Sequence, residues 1–449
     1  MPNANPRFKP LQRLDALRAW LWQQSLLRRA RRAGASLPPS APEALDVAEK
    51  ADRLWLLRSF EQHGPIFQTQ AADGLWICLL GLNRSRRLLA EHSPQLRAMT
   101  LDLRALFPLG FLRGLEDEPH RHYRRRVVQA IRQLPPTAQE GAWQRILTQG
   151  LQQFQQVPPG SQPGPEALAR ATLSIATDAL LALFFGAEPG QPLHAALRAD
   201  FAQLGPQGLV WPIGPAQQAA FEHIRQRLRQ QLALMAYGTA AEPNHLLQAS
   251  TLDGEVDETL LGNFIYMVEM GRHDLQGLLR WLLFHTSNQP QALERIALAP
   301  ATAQLALSEA FALEALRMDQ SERIQRLVLQ DFVFDGFFIP RGAQLRLCMW
   351  ESHKRVDHFR QPMEFQPERF AHDGPSASVF SPFGLDHHQC PFGQLSVRMA
   401  ASFVQALACG FTLVANTSSR QPTRGLYRWE PPQGFEVQLS VRQPRFSPG

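Results

Sequence analysis

The stretch FGLDHHQCPFGQL at residues 383–395 gathers one cysteine, two histidines, an aspartate, two glycines and a proline. Three chemistries suit such a set. His387, His388 and Cys390 are all competent zinc ligands, yet adjacent histidines do not easily reach one tetrahedral ion, and no second Cys/His pair at the usual spacing completes a set of four. A catalytic thiol would need a base and an oxyanion site, which the sequence does not single out. The third reading is a small buried residue in a turn. Taken alone, the stretch leaves these open.

Other segments bear on the choice. EALR puts Glu314 and Arg317 one helical turn apart, FQPERF supplies Arg369, RIQRLVLQDF carries Arg326 ahead of GFFIPRG, and EPHRHYRRRVV sets His120 and Arg124 at i and i+4. In this order and spacing, the chain resembles the cytochrome P450 haem-thiolate family, whose cysteine loop reads F-G-x-G-x-H-x-C-x-G. Phe383, Gly384, His388 and Cys390 fall in register. Asp386 stands where a glycine is usual, and Phe392 displaces the following glycine to Gly393. The resemblance covers residues 50 to 440 and implies haem b, with Cys390 as the iron ligand and Phe383 shielding its sulfur. It further implies that His120, Arg124, Arg326 and His388 hold the two propionates, and that Glu314, Arg317 and Arg369 form a structural ion network. A buried carboxylate flanked by two guanidiniums tolerates low dielectric only when the set is complete.

The chain departs from this family on the oxygen side. Where A-G-x-[D/E]-T is usual, it reads VEMGRHDLQGLLRWLLFHTSNQP. Counting back from Pro290 at the family's spacing puts Asp274 at the threonine position and His273 at the acid position, with Gly271 matching the glycine. A register one residue later makes Asp274 the acid and leaves Leu275 in place of the alcohol. Three readings follow: His273 and Asp274 form a replacement proton relay; the enzyme uses peroxide, or acts as an isomerase or dehydratase; or Arg272 to Asp274 anchor a polar substrate. Arg272 or His273 facing away from the haem is the plain alternative.

The elements that must position these residues follow from composition and periodicity. A chain of 449 residues with 44% hydrophobic and 19% charged residues is folded and long enough for an enclosed pocket. Four cysteines make no disulfide framework, and Cys78, Cys348 and Cys409 sit in apolar runs that read as core. The net charge of +6 is almost all arginine, the lysines being Lys9, Lys50 and Lys354, and no aromatic-basic interleaving points to nucleic acid. Residues 1–45, with LDALRAWLWQQSLLRRARRAG and a Pro-rich linker, read as a basic amphipathic extension. It either packs on the body or provides a peripheral membrane or partner contact. Residues 46–449 read as one haem-thiolate domain. HGPIFQTQAADGLWICLLG looks like two strands about a turn, helical patterns dominate to residue 320, and strand texture returns at RLVLQDFVFDGFFIPRGAQLRLCMW and GFEVQLSVR. The expected class is mainly α with small β-sheets, the cytochrome P450 fold.

By this resemblance the chain is a soluble, cytoplasmic, bacterial-type monooxygenase that hydroxylates or oxidatively couples a small organic substrate. Neither a dinucleotide fingerprint nor a cysteine cluster is fused to it, so a ferredoxin or flavodoxin would supply electrons, drawn to the arginine surplus. A non-catalytic haem scaffold or sensor is the alternative from another class. LGPQGLVWPIGPAQ (204–217) is a candidate pocket lining, with surface packing as its rival.

Overall fold

The computed structural model describes residues 10–443, apart from 101, 109, 156–164, 206–212, 238–243, 320–322, 372–373, 417–420 and 426–427. Helix makes up 57% of it, well above the roughly one-third usual in globular proteins, and the sheets are small, so the mainly-α expectation holds. Two compact units emerge from the contacts: Met1–Met99 with Glu322–His358 and Leu385–His387, and Thr100–Ser321 with Phe359–Gly384 and His388–Gly449.

The first unit is built on a five-stranded sheet ordered Ile66–Ala71, Gly74–Leu80, Gln344–Cys348, Arg323–Val328, Leu96–Ala98. The expected hairpin pairs Ile66 with Leu79 through Ala71 with Gly74. Gln344–Cys348 is buried along its whole length, as a central strand should be, and it lies parallel to Gly74–Leu80 and antiparallel to Arg323–Val328. Its Arg346 survives burial because Glu49 accepts from both guanidinium nitrogens at 2.7 and 3.2 Å. The helix Pro10–Arg32 ends in this unit: Leu26 and Ala30, one turn apart, join the core beside Phe338 and Leu345, while Trp20, Leu21 and Trp22 stay exposed.

The second unit is helical around one long helix, Glu258–Asn288. Its N-cap, Asp257, accepts the Leu260 N–H at 3.0 Å, and Pro290 follows its end, where ring sterics disfavour further helix in the preceding residue. Leu260, Leu261, Asn263, Tyr266 and Glu269 are buried on different sides of it, the mark of a helix packed all round. Pro165–Phe185 lies against it, with the Phe184 and Phe264 rings 5.7 Å apart. By length and composition residues 166–185 would suit a membrane span, but two-thirds of that window is buried in the protein. The helices Ala301–Asp319 and Gly393–Gly410 pack together, and the strands Thr423–Arg424 and Trp429–Glu430 pair as a hairpin.

Cys78 and Cys348 are buried as expected, whereas Cys409 is exposed and corrects the expectation. It lies in the last turn of Gly393–Gly410, with Sγ 3.5 Å from the Gln304 side-chain oxygen, where an apolar run meets the surface.

Candidate active site

Glu314 and Arg317 face each other one turn apart in Ala301–Asp319, at 2.7 and 2.8 Å in bidentate geometry, and both are fully buried. Arg369 completes the trio at 3.4 Å from Glu314. The Gln366 N–H also donates to Glu314 at 2.8 Å, and Arg317 donates to the Pro362 carbonyl at 2.7 Å. This network ties the segment ahead of the cysteine loop to a core helix.

The loop itself closes on two short bonds. Cys390 N–H donates to the Phe383 carbonyl at 2.8 Å, and Ser381 Oγ donates to the Gly384 carbonyl at 2.6 Å. Gly384 has φ +109°, and a Cβ there would stand 3.1 Å from the Gln389 Cα, so only glycine allows this turn. Phe392 does not block the loop. Its ring packs 4.9 Å from Phe184, and Gly393 leaves room for the Phe383 ring, which a Cβ would meet at 2.9 Å. Cys390 is exposed by area although protein surrounds its thiol, which means that its open surface faces inward. Burial pushes the thiol up, the Phe392 backbone N–H at the sulfur opposes this, the Asp274 carboxylate adds to it, and the Arg124 guanidinium opposes it.

The structure brings three of the four proposed carboxylate-binding residues together in this unit. His120 is 1% exposed and its ring lies 4.4 Å from that of His388. Arg124, one turn on in Asp117–Gln133, donates to the Gln389 carbonyl at 2.6 Å. Arg326 belongs to the other unit, where its guanidinium is paired with Asp386, the residue standing at a usual glycine position, and donates to the Gln325 carbonyl at 2.9 Å. That partner was not foreseen.

On the long helix, Arg272 turns away. It grips Glu269 at 2.8 and 3.0 Å and donates to the Phe201 and Gly205 carbonyls at 2.9 and 2.5 Å, so the plain alternative holds for Arg272, which is committed to protein partners. Its i, i+3 spacing from Glu269 repeats that of Glu314 and Arg317, a signal present in the sequence. His273 Nε2 lies 3.5 Å from Glu269. Asp274 points elsewhere. Its side chain is 79% open, yet burial dominates its ionisation and pushes the carboxyl up, so it too projects into interior space; the guanidiniums of Arg428 and Arg113 act the other way. Arg428 lies 3.6 Å from it. Arg113 is within hydrogen-bonding reach of the Tyr266 hydroxyl, which burial pushes up. Arg113, Arg428 and Tyr266 were not singled out from the sequence. Of the segment 204–217, residues 206–212 lie outside the described residues.

These residues fit an iron porphyrin. A sulfur open toward the interior carries a backbone N–H donor and sits just before a helix N-terminus, both of which favour a thiolate, and imidazole and guanidinium groups lie beside its loop.

The description Cytochrome P450 matches residues 299–407, the stretch running from the Glu314 helix through Cys390 and into the helix after it. Over that stretch the chain is similar to the cytochrome P450 family. Beta-amyrin 28-monooxygenase of Solanum lycopersicum is 41% identical over 66 residues, 15% of this chain and 14% of that protein. Beta-amyrin 28-monooxygenase of Vitis vinifera is 26% identical over 230 residues, 45% of this chain and 44% of that protein. The aligned regions thus span less than half of these relatives. Both are plant proteins, where relatives of bacterial type were expected. The retinoic acid bound cyanobacterial CYP120A1 structure superposes with a TM-score of 0.70 at 19% identity over 91% of this chain and 100% of that one, which shows the P450 fold.

Proposed function

We propose that this chain is a cytochrome P450, a haem-thiolate monooxygenase that oxidises a small organic substrate with electrons from a separate carrier. The observation that carries the reading is the inward-facing Cys390 sulfur with the Phe392 N–H upon it, in a stretch matched by the family description. When bound, haem supplies an iron at which dioxygen is split, and an anionic sulfur ligand favours O–O cleavage. The chain's own residues would do the rest. Phe392 N–H tempers the donation of the sulfur; His120, Arg124 and His388 meet the porphyrin carboxylates; and Asp274, its carboxyl pushed up by burial, holds a proton closer to neutrality than an exposed aspartate does. His273, the preceding residue, is read as a second proton carrier, with Nε2 3.5 Å from Glu269. The hydroxylase and monooxygenase names of the relatives support the reaction class. Free cysteines alone among the described residues suit a reducing cytoplasm, where a ferredoxin or flavodoxin would serve as carrier.

The test is the absorption spectrum of the reduced, carbon-monoxide-bound protein expressed with ample haem. The expected result is the red-shifted Soret band of a thiolate ligand, lost in Cys390→Ala. A colourless protein, or an unchanged band in that variant, overturns the reading.

A further inference from the structure

The polar groups around Asp274 do not balance. Arg428 lies 3.6 Å from the Asp274 carboxylate, and Arg113, in hydrogen-bonding reach of the Tyr266 hydroxyl, adds a second guanidinium whose charge that carboxylate feels. Arg428 is held rigidly. It sits at the start of the strand Trp429–Glu430, where its own carbonyl accepts the Gly425 N–H at 2.9 Å. Arg280 grips Glu430 at 2.6 Å, and Trp281 donates to the Trp429 carbonyl at 3.3 Å, so the hairpin is fastened to the long helix. The guanidinium then lies over Gly277, where a Cβ would meet Nε at 2.4 Å and Cζ at 2.5 Å. Asp274 at 3.6 Å is beyond a close hydrogen bond, and Nε has no acceptor among the described residues. Arg113 is exposed on a loop pinned by the Leu112 N–H to Asn263 Oδ1 at 2.6 Å.

With Asp274 ionised the two guanidiniums leave one positive charge uncompensated, with its carboxyl protonated they leave two, and Arg428, seated over Gly277, is the planar donor held in place. A substrate amine would meet an Asp274 already faced by guanidiniums. A carboxylate would supply the missing charge and accept paired N–H bonds from a guanidinium. We propose that Arg428, with Arg113, holds the carboxylate of an acidic organic substrate beside Asp274. This rests on the haem-thiolate reading and adds to it the class of substrate.

The experiment uses ligands that report binding without turnover. The haem-loaded full chain is titrated with ω-(imidazol-1-yl)alkanoates from short to long, their methyl esters and the matching trimethylammonium compounds. The imidazole nitrogen binds the iron and shifts the Soret band whatever the far end carries. The expected result is that at one or more lengths the acid binds roughly tenfold tighter than its ester, the scale of a charge-assisted hydrogen bond. Arg428→Gln abolishes that preference while ester affinity stays the same, and Arg428→Lys keeps part of it. Should Arg428→Gln fail to fold, Arg113→Gln, on an exposed loop, must still weaken the preference. Acids no tighter than esters at every length, or a preference untouched by these substitutions, overturns the proposal. A protein without a thiolate-type carbonyl spectrum fails the haem-thiolate reading instead, so the two outcomes are distinct.

Discussion

At the scale of single residues, what separates Cys390 from Cys348 is not the thiol but what surrounds it. Burial pushes both thiols up, but Cys348 is sealed in a strand beside Cys78, whereas Cys390 opens inward with a backbone N–H aimed at its sulfur. A thiol so placed gives up its proton to a metal more readily than to water. Gly277 works by its missing side chain. The helix backbone is hydrogen-bonded and cannot retreat, so in Gly277→Ala the Arg428 guanidinium must move off its seat. The substitution itself favours helix by about 1 kcal/mol. The expected variant is therefore as stable as the parent or more so in urea denaturation, yet has lost the preference for acidic imidazole ligands. Lower stability with that preference intact would show that Gly277 serves packing alone.

At the scale of elements, the Glu314 network fixes the segment 361–369 to the Ala301–Asp319 helix. Removing the shared carboxylate leaves Arg317 and Arg369 buried without it, a change that costs about 3–5 kcal/mol. Glu314→Ala should thus either fail to accumulate or shift its denaturation midpoint by that amount; a loss below about 1 kcal/mol would mean water readily replaces the carboxylate. This network was legible in the sequence because its pattern is local: Glu314 and Arg317 share one helical turn, and Arg369 follows in a turn motif. The strands were legible for the same reason, Ile66–Ala71 and Gly74–Leu80 being short runs on either side of a turn at Ala72 and Asp73. Contacts made by distant segments were not. Arg428 acquires meaning only when a hairpin folds over Gly277, some 150 residues away, and the partner of Arg326 is an aspartate that in the sequence looks like a lost glycine. Arg272 was open to two readings for a simpler reason: it adjoins His273 and Asp274 in the chain, while its carboxylate partner, Glu269, stands one turn back on the same helix.

At the scale of the whole molecule, a net charge of +6 carried by arginine sets how a charged partner arrives rather than how tightly it stays. Arg398 is the residue through which this can be measured. It lies on Gly393–Gly410, the helix that follows the Cys390 loop, its side chain is 49% exposed, and Glu140 at 3.7 Å neutralises it only loosely. An acidic ferredoxin or flavodoxin approaching that helix would feel it over the roughly 10 Å screening length of moderate salt, and less as salt rises. Arg398→Glu should therefore slow the second-order reduction of the haem by such a carrier roughly threefold or more at low ionic strength, with the difference fading at high salt. Stopped-flow reduction at several salt concentrations reads this directly, and the carbonyl spectrum of the variant guards against damage to the Cys390 loop. Equal rates at low salt, with an intact spectrum, would move the docking surface away from this helix and leave the arginine surplus to serve another purpose.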